Sequence, residues 1–377
     1  MSNRKNIIIF IDWFYPAYKA GGPVKSVFNL VQALQEDFQF SIVTSNQDVD
    51  GEVLEVEPNV WTDLQGINVI YLSRDQQNKK VYRALFEEVN AVAVYYNSLF
   101  SKNFTLTPHK ALKRYKCPQL IAPRGMLGDG ALAIKAFKKK VFLSLSKQLF
   151  FNVNKISWHA TSQKEVDEIK AAYGKKSNIR IAQNISSARV ERKTIQKKKG
   201  ILKLVFVSRI AEKKNLHFAL ELMQTLKNEE GLSLDIYGPI EEQNYWKKCQ
   251  PIIEKDARIH YKGVLAPHEI ADTLQQYHFY ILPTLHENYG HSIVEAIVSG
   301  VPIIISTNTP WLNLKTAGVG ADLELSNQED WLNYLKECLA MDQASYEGMV
   351  QDCYGFAEEN ILNVSAVEDS RKLFSDL

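Results

Sequence analysis

Short, continuously apolar, β-rich runs alternate with helix-like stretches along almost the whole chain, and this alternation constrains the fold more than any single motif. In the first half the expected strands are Asn6–Ile11, Phe40–Thr44, Val69–Tyr71, Val92–Tyr96, Gln119–Ala122, Ile156–Ala160 and Ile179–Ala182. In the second half they are Leu202–Val207, Ser233–Tyr237, Ile259–Tyr261, Phe279–Leu282 and Pro302–Ser306. Strands without a polar face must be covered on both sides, so the pattern requires parallel sheets sandwiched by helices. It restarts near residue 200. The stretch "ARVERKTIQKKKG", Ala188–Gly200, is charged and lacks apolar periodicity, and "ILKLVFVSR" then opens a new strand. The expected organisation is an α/β chain of two doubly wound domains, 1–187 and 201–360, joined by a linker at 188–200, with a cleft between them. Ligands of such sheets bind beyond the carboxyl ends of the strands.

Length and composition agree. The 377 residues suit two domains, and 23% charged and 45% hydrophobic residues are ordinary for globular protein. Cys117, Cys249, Cys338 and Cys353 are far apart, which fits a reducing compartment and argues against a zinc site. The apolar run Ile7–Ile11 stops at Asp12 and is too short for a signal peptide or a membrane span. A cytoplasmic location is expected. The net charge of +2 conceals an asymmetry: residues 1–200 carry 31 basic against 17 acidic side chains, and residues 201–377 carry 14 against 26. The two halves should therefore meet different partners.

Local signals mark helix starts. Ser162 with Glu165 forms a capping-box pattern, and Thr309-Pro310 reads as an N-cap followed by proline at the first helical position.

Three loops could carry chemistry. In "FYPAYKAGGPVKSVFNLVQAL", Phe14–Leu34, a strand gives way to a Pro/Gly loop and a helix near Pro23. Gly21 and Gly22 would let backbone approach an anionic ligand at the helix start, although a plain connecting loop has the same look. In "VFVSRIAEKKNLHFAL", Val205–Leu220, Arg209 directly follows a strand and Lys214 comes five residues later. The two cations suit a diphosphate. A solvated charge run with Glu212 as local partner is the alternative. In "HENYGHSIVEAIVSG", His286–Gly300, Glu287 and Glu295 flank a glycine turn ahead of an apolar helix. Ser292 and Glu295 also fit a capping box, which would explain Glu295 alone but neither Glu287 nor Gly290. A carboxylate accepts hydrogen bonds from neighbouring hydroxyls. A nucleotide sugar would satisfy both glutamates and the glycine turn at once.

At these residues the chain resembles the family 4 retaining glycosyltransferases of GT-B architecture. Glu287 and Glu295 have the family's E-x7-E spacing. "YPAYKAGGP", "ATSQKEVDEI" and "SRIAEKKN" fall in its order, and "ENYGHSIVEAIVSGVPIIIS…TPW" is similar to an "ENFGH…TPW" subgroup. The resemblance covers nearly the whole chain. It implies a GT-B fold of two Rossmann-like domains facing a cleft, with a final helix within 361–377 returning to the N-terminal domain.

It further implies that Arg209 and Lys214 bind the donor diphosphate and that Glu287 holds donor-sugar hydroxyls. Asn288, Tyr289, Gly290, His291 and Ser292 would contact sugar and phosphate, and Glu295 the ribose. Gly21 and Gly22 would approach the diphosphate, and the base would sit near Tyr237–Pro239, with Gly238, and near Gly263–Val264. A nucleoside-diphosphate sugar is the co-substrate, with no other cofactor and no metal expected. Where many relatives carry a histidine after an N-domain strand, this chain has "IAPRGMLG", so Arg124 becomes the candidate contact to an anionic sugar or acceptor. The implied activity is transfer to a glycan or lipid-linked acceptor in surface polysaccharide synthesis. Another GT-B enzyme, such as a nucleotide-sugar epimerase, and a non-catalytic nucleotide-sugar-binding protein remain the alternatives.

The block 101–150 holds eleven basic residues and one acidic residue. Within it, "AIKAFKKKVFLSLSKQLFF", Ala133–Phe151, would pack an apolar face inward. Its lysines would face an anionic membrane surface or a lipid-diphosphate acceptor. Nucleic acid is not an expected partner, because no recognition motif accompanies the charge.

Overall fold

The computed structural model describes residues 4–128, 142–143, 146, 156–186, 190–193, 195–362 and 364–375. The chain forms two compact units, 1–185 with 364–377, and 186–363. The lysine-rich stretch 133–151 lies outside the described residues except for Phe142, Leu143 and Ser146. Among the described residues no helix is long and apolar enough to cross a membrane.

The first unit is built on β1 (Asn6–Phe10), β2 (Gln39–Ser45), β3 (Trp61–Leu64), β4 (Ile67–Leu72), β5 (Ala93–Tyr96), β6 (Gln119–Ile121), β7 (Ser157–Ala160) and β8 (Asn178–Ile181). Their order is β3-β4-β2-β1-β5-β6-β7-β8, with β3 antiparallel and the others parallel. β1 and β5 are buried at every position, as the apolar runs Ile7–Phe10 and Ala93–Tyr96 require. Strand order reverses between β1 and β5, so the ligand crevice of this sheet opens beyond Phe10 and Tyr96. The helix Gly22–Leu34 leaves the first loop with Gly21 as its N-cap at φ 73°, a left-handed value that glycine adopts without a side-chain clash.

The helix Val364–Ser375 belongs to this unit. Its Phe374 packs edge-on against Phe38, Phe40 and Tyr95, each with ring centres 5.7 Å away. Arg371 pairs with Asp37 at 2.8 Å, and Arg180 donates to the Lys372 and Leu373 carbonyls. One end of the chain is thus covered by rings that the other end supplies.

The second unit is built on β9 (Leu202–Val207), β10 (Leu232–Tyr237), β11 (Ile259–Gly263), β12 (Phe279–Leu282), β13 (Ile303–Ser306) and β14 (Gly320–Leu323). The order β11-β10-β9-β12-β13-β14 is wholly parallel and reverses between β9 and β12. This is the doubly wound nucleotide-binding arrangement, and its crevice lies beyond Val207 and Leu282.

Three sequence expectations need correction. The stretch taken as a linker belongs to the second unit where described. Val190 and Ile195 pack on its core, and Lys197 is buried with its ammonium on the Lys198, Leu339 and Met341 carbonyls. Its apolar residues are too few to show periodicity, yet Val190 and Ile195 both find the core. No helix starts at Thr309-Pro310. The Thr309 hydroxyl instead turns back on the Trp311 amide at 3.1 Å and carbonyl at 3.2 Å, and residues 307–313 stay in a loop. Ser162 does cap its helix by accepting from the Glu165 amide, but the Glu165 carboxylate does not return the bond to Ser162. It is buried on the Gly125 and Thr161 amides instead.

Candidate functional site: a charged crevice in the second unit

Arg209 and Lys214 follow β9, and Glu287 follows β12, so the two sides of the crevice deliver the cations and the carboxylate. Lys214 is ion-paired with Glu287, and both side chains are largely buried, 12% and 10% exposed. Glu287 is thus largely withdrawn from solvent although it stands in a loop. Burial pushes the Glu287 carboxyl up, but Lys214, then Lys213 and Arg209, outweigh it and hold it below its ordinary 4.5. Lys213 is lowered, chiefly by burial, with Lys214 and Arg209 adding like-charge repulsion. Three cations thus converge on one carboxylate. Arg209 has a second acid, Glu241, at 2.7 Å, in a pair about a third exposed.

Backbone bonds lock this geometry. The Lys213 carbonyl accepts from the Leu285 amide at 2.8 Å and the Thr284 hydroxyl at 3.0 Å, joining the post-β9 turn to the post-β12 loop. The Glu287 amide donates to the Asn308 carbonyl at 2.9 Å. Lys214 itself ends a short 3-10 turn, Glu212–Lys214, and the helix Leu216–Thr225 begins after Asn215.

The helix His291–Val298 starts at Gly290, whose φ is 78°, and no side chain caps it. The first amides of a helix have no partner within it and favour an anion. The capping box expected of Ser292 and Glu295 is absent. Ser292 lies inside the helix, and its hydroxyl bonds the Tyr280 hydroxyl at 2.8 Å. Glu295 lies on the same helix, four residues beyond His291, and is half-buried.

Tyr289 is held from behind. The Trp311 indole N–H donates to its carbonyl at 2.6 Å, and the Tyr289 ring packs on Trp311 and His291. Trp311→Phe keeps the ring contact and removes that N–H. The expected loss is about 1 kcal/mol of stability, with a several-fold rise in the nucleotide-sugar dissociation constant, both read from melting and calorimetry on one sample. Unchanged affinity with lowered stability would place the 288–292 loop outside the ligand site.

Gly238 sits just past β10. Its amide donates to the Gly263 carbonyl at 2.8 Å, and its carbonyl accepts from Tyr261 at 2.9 Å. Val264, beside Gly263, is exposed. Gly21, Gly22 and Arg124 belong to the first unit. Sequence reasoning missed Lys213, Glu241 and the brace from Trp311. Lys213 was legible as the neighbour of Lys214 in "EKKN". Glu241 and Trp311 reach the site from other segments, with no local spacing to reveal them.

Residues 187–349 match the family model described as glycosyl transferases group 1. Over 160 residues the chain is 31% identical to the UDP-N-acetylglucosamine–peptide N-acetylglucosaminyltransferase GtfA subunit of Limosilactobacillus reuteri, a match covering 42% of this chain and 30% of that one. Over 120 residues it is 28% identical to the Streptococcus agalactiae protein of that name, covering 32% and 23%. The chain thus matches less than a third of the length of these curated relatives. Among solved structures, Anabaena HepE in complex with UDP-glucose superposes with a TM-score of 0.73 at 13% identity, covering 99% of this chain and 100% of that one. WaaG, a glycosyltransferase involved in lipopolysaccharide biosynthesis, superposes with a TM-score of 0.70 at 11% identity, covering 98% and 99%. The fold is therefore GT-B, with two Rossmann-like domains on parallel sheets.

Proposed function

We propose that this chain is a glycosyltransferase that moves a sugar from a nucleoside-diphosphate sugar to a glycan or lipid-linked acceptor in surface polysaccharide synthesis. The observation that carries the reading is the convergence of Arg209, Lys213 and Lys214 on Glu287 at the strand-order reversal of the second unit. Three cations against two carboxylates, Glu287 and Glu241, leave positive charge beside an uncapped helix start, which suits a diphosphate. In this reading Arg209 and Lys214 hold the diphosphate, Glu287 accepts from donor-sugar hydroxyls, and the 288–292 backbone contacts sugar and phosphate. Glu295 takes the ribose, and the base lies near Gly238 and Val264.

As the glycosidic bond breaks, negative charge builds on the leaving diphosphate, and fixed cations stabilise that charge without reorganising. The positive charge supplied by the side chains supports a reaction that needs no metal. Retention of anomeric configuration, the family 4 assignment and the Gly21–Gly22 contact rest on the sequence resemblance. The match to the GtfA subunits, whose names specify a UDP-sugar donor, favours a uridine nucleotide.

Arg209→Ala tests the diphosphate assignment. Its pair with Glu241 is partly exposed, so stability should change by less than about 1 kcal/mol. A lost charge-assisted contact to phosphate should weaken nucleoside-diphosphate binding about 10–100-fold by calorimetry. Equal affinity in the variant and the parent would remove Arg209 from the site.

A further inference from the structure

The carboxyl end of the first unit's sheet holds hydrogen-bond donors in excess. Arg124 follows β6 in a turn closed by the Met126 amide on the Pro123 carbonyl at 3.2 Å. Both central residues are left-handed, Arg124 at φ 54° and Gly125 at φ 72°. A turn of this kind favours Asn or Gly at its first central position. An arginine there carries a backbone cost, and such strain collects at functional positions.

The cost places the guanidinium accurately. Nε donates to Asn97 Oδ1 at 2.7 Å, Nη1 to Asn184 Oδ1 at 2.5 Å and Nη2 to the Tyr95 hydroxyl at 2.7 Å. All three acceptors are neutral. The tyrosine is itself oriented from behind. His159 Nε2 faces the Ala182 carbonyl at 2.8 Å and must carry the ring proton. Its Nδ1 then accepts from Tyr95, 2.8 Å away, leaving the tyrosine oxygen to accept from Arg124. Burial, with Arg124 adding repulsion, pushes His159 down to about 3 and keeps it neutral. The buried Glu165 carboxylate is spent on the Gly125 and Thr161 amides and the Thr161 hydroxyl.

A guanidinium has five N–H bonds, and three are accounted for here. A second donor lies beside it. Asn97 is the first residue past β5, at the strand-order reversal, and is 3% exposed. Its oxygen is fixed by Arg124, and its Nδ2 has no acceptor among the described residues. A buried donor left unsatisfied costs about 1–3 kcal/mol, which an acceptor-rich ligand would recover.

We propose that Arg124 and Asn97 form a binding site for an anionic group, a phosphate or a carboxylate, on the sugar substrate handled by the first unit. The proposal rests on the glycosyltransferase reading for the word substrate, but not for the anion. Arg124 selects charge, and the Asn97 amide adds direction.

The test is titration of the full chain, saturated with UDP so that the second unit's cations are occupied. The probes are glucose 1-phosphate, methyl glucuronide and neutral methyl glucoside. At least one anionic probe should bind at least tenfold more tightly than the neutral one, and whichever does identifies the group as phosphate or carboxylate. Arg124→Gln should abolish the preference. Asn97→Asp should abolish it too, by placing a carboxylate where the amide stood while still accepting from Arg124, and it carries the test where Arg124→Gln does not fold. Equal binding of all three probes, or a preference that survives both variants, would overturn the site. Should UDP itself fail to bind while the anionic probe still does, the donor reading fails and this site stands.

Discussion

Glu287→Ala is expected to reduce sugar transfer at least about 100-fold, the scale on which removal of one preorganised polar contact acts on a rate, and to lower stability at the same time. Its carboxylate is 10% exposed and pairs with a lysine that is 12% exposed. Removing one partner of a largely buried pair strands the other, at a cost of about 3 kcal/mol. Here the stranded Lys214 also faces Lys213 and Arg209. A nucleoside diphosphate returns negative charge to this cluster, so a larger fraction of the lost melting temperature should be recovered with ligand than in the parent protein. Glu287→Gln separates shape from charge. The parent carboxyl is held below 4.5, so its contribution is complete above that value in the unfolded chain and is lost as pH falls through the lower folded value. The glutamine variant should be less stable at neutral pH and lose less between pH 5 and acid unfolding. An alanine variant with parental activity would remove Glu287 from the site.

Gly238→Ala has the largest expected structural effect. A Cβ at this position would lie 1.9 Å from the Ser208 carbonyl oxygen and 2.6 Å from its carbon, and the backbone has φ 141°. Both obstacles are main chain at the end of β9, so no side chain can move aside. The strand end that carries Arg209 must shift, at a cost of about 3 kcal/mol or more. Gly263→Ala is the built-in control. Its φ is 88°, but nothing lies within 4 Å of the added carbon, so only backbone strain of about 1–2 kcal/mol remains. Melting temperatures of the two variants should therefore differ clearly. Equal losses would show that Gly238 does not pack against the Ser208–Arg209 peptide.

The parallel strands were legible because burial on both faces leaves an apolar run, as in Ile7–Phe10 of β1, Leu204–Val207 of β9 and the whole of β12. Two strands escaped. β3, "WTDL", is an antiparallel edge with no buried residue, so nothing forces its sequence to be apolar. β14, "GADL", opens on Gly320, where a Cβ would meet the Ile303 carbonyl oxygen at 1.8 Å, so close packing selected the residue that weakens a strand signal. The helix-cap patterns misled where another partner took the side chain: Tyr280 holds Ser292 and the Gly125 amide holds Glu165, while Thr309 turns locally onto Trp311. Glu287, Arg209 and Lys214 stood out because each occupies a strand-to-helix junction. Glu241, the Trp311 brace and the Asn97–Arg124–Tyr95 network join distant segments, and only folding brings them together.

Thermal melting of the full chain should be followed with UDP, GDP, TDP and their common sugar derivatives, with and without magnesium. A ligand at 100 times its dissociation constant adds about 2.7 kcal/mol. If the second unit's crevice is a donor site, one nucleotide and its sugar derivative will raise the melting temperature by several degrees without metal, and Arg209→Ala will diminish the shift. No shift with any nucleotide, or the same shift in Arg209→Ala, would contradict the donor-site assignment.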